Sequence, residues 1–199
     1  MATKNIKTMP YVGFERLVIG RVDSDTKEGY SASTEVAEFV DGAVSMSFNI
    51  SASETAFYSS NKKTASDYTF SPTASIAYAG DNYEIDKILF GKVEEGGAVK
   101  ENLGTAPECF AIGLMNTANG WVIRQILKFT AAKDDVAITT KGESVTFTNP
   151  SASLSCLAST YFNSYTRDFY SDNPAFEGMT ANEVFDALVA EPGMKFDTV

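Results

Sequence analysis

Apolar and polar residues alternate strictly along two stretches of this chain. Val44, Met46, Phe48 and Ile50 fall on one side, with Ser45, Ser47 and Asn49 on the other. Further on, Tyr68, Phe70, Ala74, Ile76 and Tyr78 share a side, and Thr69, Ser71, Thr73 and Ser75 share the opposite one. A period of two with one apolar side predicts half-buried β-strands. The polar side holds small uncharged hydroxyl and amide groups, where a solvated face ordinarily mixes in Lys and Glu. This face is therefore expected to meet something other than bulk water, which points to assembly rather than catalysis. The connection Ser51 to Asp67 reads as a long polar loop, beyond the roughly two to five residues of a usual β-hairpin. It carries Phe57 and Tyr58 and then Asn61-Lys62-Lys63, a composition that suits a docking arm.

The remaining elements follow from the same patterning. Tyr11 to Val22 reads as a strand, and Asp23 to Gly29 as a solvated turn whose D-x-D start lacks the other ligands of a calcium loop. Asp81 with Glu84 has capping-box spacing for a short helix, with Ile85, Ile88 and Leu89 as its buried stripe and Gly91 as its end. Lys92 to Pro107 reads as a loop. Cys109–Met115 and Trp121–Thr130 predict a hairpin turned by Asn119-Gly120. In its second strand Trp121, Ile123, Leu127 and Phe129 share a face interrupted by Gln125, and Val122, Arg124, Ile126 and Lys128 share the other. Val136 to Leu157 reads as a strand pair, with Ala152, Leu154 and Cys156 in phase and a bulge at Asn149-Pro150. Tyr161, Phe162, Tyr165, Phe169, Tyr170 and Phe176 form an aromatic segment expected to pack on a neighbouring surface, in this subunit or another. Thr180 and Glu183 make a capping box for a last helix, with Met179 and Val184 as a hydrophobic staple and Val184, Phe185, Leu188 and Val189 buried.

Composition narrows the function. A chain of 199 residues fits one domain, spanning 1–199, with 51–67 as the arm and 161–199 as the aromatic segment and C-terminal helix. The net charge of −10 repels duplex DNA as a tightly held ligand, but not as something that passes by without sticking. With no histidine, the chain has no Ser-His-Asp or Cys-His arrangement and no imidazole ligand. Neither a phosphate-binding nor a dinucleotide-binding glycine pattern occurs. The expectation is no catalytic, cofactor-binding or metal-binding residue. Cys109 and Cys156 are expected reduced and partly buried. No secretory signal is evident and no run approaches the ~18 apolar residues that cross a bilayer, so a soluble protein made in a cytoplasm is expected.

Taken in order, these segments resemble the major tail tube proteins of long-tailed, non-contractile bacteriophages, the phi13-type or TP901-1-type major tail protein. The likeness covers most of the chain and rests on the strand pair with its long connection and the short helix. It continues through Gly91-Lys92-Val93, Gly97-Ala98-Val99-Lys100 to Pro107, Phe110-Ala111-Ile112-Gly113-Leu114 with the Asn-Gly turn, and Thr140 to Thr148. The aromatic segment before the last helix departs from that pattern. The resemblance implies a mainly β fold, a two-sheet β-sandwich or barrel with a flanking helix, a long hairpin loop and a C-terminal helix. It implies stacked hexameric rings forming the tail tube through which phage DNA is ejected. Tail terminator, tape measure and distal tail proteins would be partners, and the virion tail the location. Under it, Phe57, Tyr58, Asn61, Lys62 and Lys63 become oligomer contacts. Ser45, Ser47, Asn49, Thr69, Ser71, Thr73 and Ser75 become a lumen or subunit-seam face. Two alternatives stand beside it: the inner tube of a contractile injection system, and a monomeric β-sandwich module that binds carbohydrate.

Overall fold

The alternating stretches are strands, and they run further than their apolar pattern. The computed structural model describes residues 8–39, 43–59, 62–102, 104–135 and 149–196, and for 43–44, 54–59 and 62–69 it describes the course of the backbone. In chain order the elements are β1 (Tyr11–Asp25), β2 (Tyr30–Glu38), β3 (Ala43–Ser59), β4 (Lys62–Tyr78), helix α1 (Tyr83–Phe90), β5 (Val93–Glu95) and β6 (Ala98–Lys100). Then come β7 (Cys109–Thr117), β8 (Gly120–Lys133), β9 (Ser151–Cys156), β10 (Thr166–Tyr170), a 3-10 turn over Pro174–Phe176 and helix α2 (Ala181–Ala190).

The stretch 51–67, expected as a loop, is strand. Pairing between β3 and β4 continues from Ser51↔Ser71 out to Ser59↔Lys62, with one irregularity between Phe57 and Tyr58. Each further pair gives backbone N–H and C=O groups partners that an open loop must find in water. Thr55, Phe57, Tyr58, Thr64 and Tyr68 are also strong strand formers. The arm is thus a β-hairpin with two strands of 17 residues each. Lys92 to Pro107 likewise contains a small hairpin, β5–β6. Gly96 and Gly97 both have positive φ, 62° and 78°, in its turn.

All pairing is antiparallel, in the order β2-β1-β7-β8-β9-β4-β3, with β10 on β8. In place of two separate packed sheets, this one sheet folds back until β3 lies over its other end. A Cβ added to Gly113 of β7 would stand 2.7 Å from Met46 Cε of β3 and 3.1 Å from the Phe14 ring of β1. Inside the fold a first core gathers Leu17, Ile19, Ile76, Ala111, Ile126, Phe129 and Leu154 with Ile85, Ile88 and Leu89 of α1. The outer side of β1, β7 and β8 carries a second core, where Val18, Phe110, Ile112, Leu114 and Ile123 meet Val184, Phe185 and Leu188 of α2. Each of those three α2 side chains is fully buried, contributing about 1.5–3 kcal/mol by the usual transfer scale.

Local signals set both helices. Asn82, one residue later than expected, caps α1 by accepting from Glu84 N–H, and Gly91 at φ 66° ends it by donating to Asp86 and Lys87 carbonyls. Thr180 and Glu183 form the expected capping box of α2. Elsewhere the structure corrects the reading. The β7–β8 turn is Ala118-Asn119, one residue early. Gly120 is needed for a close approach, since an added Cβ would collide with Ser171. In β8, Trp121 and Ile123 face the second core while Phe129 faces the first, because a bulge opposite Cys109/Ala111 shifts the phase. Both cysteines are free and buried. The expected strand before Ser151 falls on 136–148, outside the described residues.

Candidate functional site

Four strands bring small uncharged side chains onto one sheet surface. Residues directly opposite in an antiparallel pair share a face. Pairing therefore lays out one row of Asn49, Thr73, Ser155 and Thr130, and a second of Ser47, Ser75, Ser153 and Ala132. A third row holds Ser45, Ala77 and Ser151, and beyond the first lie Ser51↔Ser71 and Ser53↔Thr69. With neighbouring strands ~4.8 Å apart, a four-strand row spans about 14 Å. Ser45, Ser47, Asn49, Ser71, Thr73, Ser153 and Ser155 are exposed.

The expected face residues thus do share one surface, which is a face of the sheet and not an edge. Ser151, Ser153 and Ser155 were absent from the expectation, although their alternation with Ala152, Leu154 and Cys156 was visible. The hydroxyls find partners within the surface: Ser47 Oγ lies 2.8 Å from Ser75 Oγ, and Ser51 Oγ donates to the backbone carbonyl of Ser71 at 3.0 Å. Charges at the border are occupied. Asp134 accepts from Ser151 Oγ at 2.5 Å and Ser153 Oγ at 2.7 Å, and these bonds hold its carboxyl below the usual range. Lys128 pairs with Asp25 at 3.0 Å.

Behind this surface, Met46, Phe48, Ala74 and Ile76 pack on the first core. The same apolar side of the hairpin continues past the body, where Ile50 is 46% and Phe70 is 55% exposed. Phe57, Tyr58, Lys62 and Lys63 sit at the far end of the hairpin by register; Asn61 lies outside the described residues.

The Asp23–Gly29 stretch is less solvated than its composition suggests. Asp25 ends β1, and its carboxylate accepts from Ser159 Oγ at 2.9 Å, Thr160 N–H at 2.9 Å and Tyr161 N–H at 3.1 Å. Among the described residues no group of three or more His, Cys, Asp and Glu is placed to hold a metal ion. No helix among them is long and apolar enough to cross a membrane.

The aromatic segment packs largely on its own chain. Phe169 and Phe176 meet Phe196 edge-on, and Phe162 lies against Tyr30. Arg167 donates to Gln125 Oε1, to Pro192 O at 2.9 Å and to Met194 O at 2.6 Å, with its guanidinium 4.1 Å from the Phe162 centroid. Burial among these neutral groups pushes its pKa down to about 10. Gln125, expected to interrupt an apolar face, is fully buried and donates to Pro192 O at 2.9 Å. Tyr170 stays exposed, beside Tyr11 and Asp172 in a depression of about 330 Å³. No protein-family model matches the chain, and no curated protein matches it.

Proposed function

We propose that this protein is a structural subunit that assembles with copies of itself into stacked rings, as in the phage tail tubes it resembles. It works without catalysis. The observation that carries the reading is the broad surface of Ser, Thr, Asn and Ala across β3, β4, β9 and β8, on a chain whose net charge is −10. A conduit for DNA needs a wall that does not hold phosphate. Uncharged hydroxyls displace no counterions and so give no electrostatic grip on a duplex. The projecting hairpin supports the same reading. Its outer apolar side, with Ile50 and Phe70 uncovered, lacks a partner among the described residues that a second copy would supply.

In this reading six copies close a ring, the hydroxyl surface lines the lumen, and the hairpin bridges copies. Tail terminator, tape measure and distal tail proteins bound the tube in the virion. The test is light scattering with negative-stain electron microscopy on concentrated protein. Six-fold rings or tubes are expected; a strict 21.5 kDa monomer at high concentration overturns the reading. A second reading, a carbohydrate-binding module, is favoured by the exposed Tyr11 and Tyr170 beside Asp172 and the Arg124–Asp168 pair. Glycan-array binding abolished by Tyr170→Ala would support that alternative.

A further inference from the structure

We propose that the basic tip of the β3–β4 hairpin of one copy docks in an acidic groove along the outer edge of β2 on a second copy. This deepens the assembly reading and rests on it for its setting. The groove has a volume of about 910 Å³. That lies at the upper end of the roughly 300–1,000 Å³ that encloses a drug-sized ligand, enough to admit a turn of chain. One wall is the consecutive run Thr34 to Phe39, and the other is α1 with the start of β5. Consecutive strand residues point to opposite faces, so a groove lined by all of them runs along the strand's edge. Among the described residues β2 pairs only with β1, which leaves the outer edge with backbone groups for an incoming strand.

The lining has an acidic excess, with Glu35, Glu38, Glu84 and Glu94 against Arg21, Lys87 and Lys92. Arg21 donates to Lys87 O at 2.5 Å, Lys87 pairs with Glu84 at 3.0 Å, and Lys92 sits between Asp86 and Glu101 at 3.1 and 3.0 Å. Lys87 and Lys92 are therefore paired with carboxylates, whereas Arg21 is held by backbone carbonyls and keeps its charge. Glu35 and Glu94 are exposed, and their carboxylates have no ion pair among the described residues. What remains is a negative field at a free strand edge. The complement in this sequence is Lys62-Lys63, its one adjacent pair of basic residues, at the start of β4.

Geometry makes the contact intermolecular. Tyr78 lines the groove at one end of the 17-residue β4, and Lys62 is the first residue at the other end. At roughly 3.3 Å per residue the tip stands about 50 Å from its own groove. A tip in a neighbour's groove is a heterologous contact, which closes into a ring or propagates along an axis according to the rotation it imposes between copies.

The test joins two full-length variants, Ser59→Cys at the tip and Asn102→Cys in the groove, with a short bismaleimide. Ser47→Cys on the hydroxyl surface serves as the control partner for Ser59→Cys. The tip–groove product is expected in about tenfold excess over the control. It should fall by about tenfold when the groove copy also carries Glu35→Lys and Glu94→Lys, and recover when the tip copy carries Lys62→Glu and Lys63→Glu. A yield equal to the control, or insensitive to both reversals, overturns the proposal. Light scattering of the unaltered chain separates the two ideas. Rings without the tip–groove product sink the groove and keep assembly, whereas the product without rings keeps the groove and sinks the stacked-ring reading.

Discussion

Replacing Asp25 by alanine is expected to destabilise the fold by about 3 kcal/mol at neutral pH. Its side chain is only 2% exposed and holds Lys128 Nζ at 3.0 Å in addition to Ser159 and the N–H groups of Thr160 and Tyr161. Removing one partner of a buried pair costs ~3–5 kcal/mol, because the other charge and the donors lose their acceptor. The lower end applies because Lys128 keeps Glu108 at 3.8 Å. Burial by itself would raise the carboxyl's pKa. The donors from Thr160, Tyr161, Lys128 and Ser159 outweigh it and hold the group below its ordinary value. A folded pKa below the unfolded value of about 3.9 gives stability that is complete above that pH and lost as pH falls through the folded pKa. Urea unfolding followed by Trp121 fluorescence should therefore show the full difference from wild type at pH 7 and a smaller one at pH 3. A difference under about 1 kcal/mol at pH 7, or one that persists unchanged at pH 3, would refute the reasoning. Asp25→Asn, which keeps the shape and loses the charge, is expected to fall between the two.

Burial pushes the Cys109 thiol up to about 12 and the Cys156 thiol up to about 11, so neither should react with a disulfide reagent at pH 8 in the native protein. Both should react in urea, and rapid native labelling would contradict the packing. A Cβ on Gly193 would stand 2.5 Å from the carbonyl oxygen of Tyr30, so Gly193→Ala should force the tail after α2 outward. The expected cost is about 1–3 kcal/mol. An unchanged urea midpoint would mean the tail is not seated there.

Local signals made much of this fold legible. The capping box at Thr180, the stripe of Ile85, Ile88 and Leu89, and the alternation of β3 and β4 each involve neighbours in sequence. What escaped depends on partners far away. Tyr30–Glu38 has too few apolar residues for its period to stand out and is a strand because β1 supplies hydrogen bonds. The phase of β8 turns on a bulge against β7 that no window of β8 contains. The hairpin read as a loop because residues 51–67 lack a regular alternation of apolar and polar positions. At the candidate site, both halves of the hydroxyl surface alternate plainly. Joining them needed the pairing of Ser75 with Ser153, which propensity cannot supply. Arg167 gave no signal at all, since its acceptors come from residues 125, 192 and 194.

The sheet order carries a kinetic consequence. The two strands of the long hairpin are neighbours in sequence and need close only a short turn. Joining β1 to β7, or β4 to β9, brings together residues as distant as Val18 and Ile112 or Ile76 and Ala152. Loop closure makes such distant pairings slow, while local hairpins form within roughly 1–10 μs. The projecting hairpin is therefore expected to pair before the body that anchors it. During that interval its whole apolar side, Met46 and Ile76 included, is open to other nascent chains. Formation of the first core then covers the inner half of that side, and in the native state the outer end, with Ile50 and Phe70, is what stays open to a neighbour.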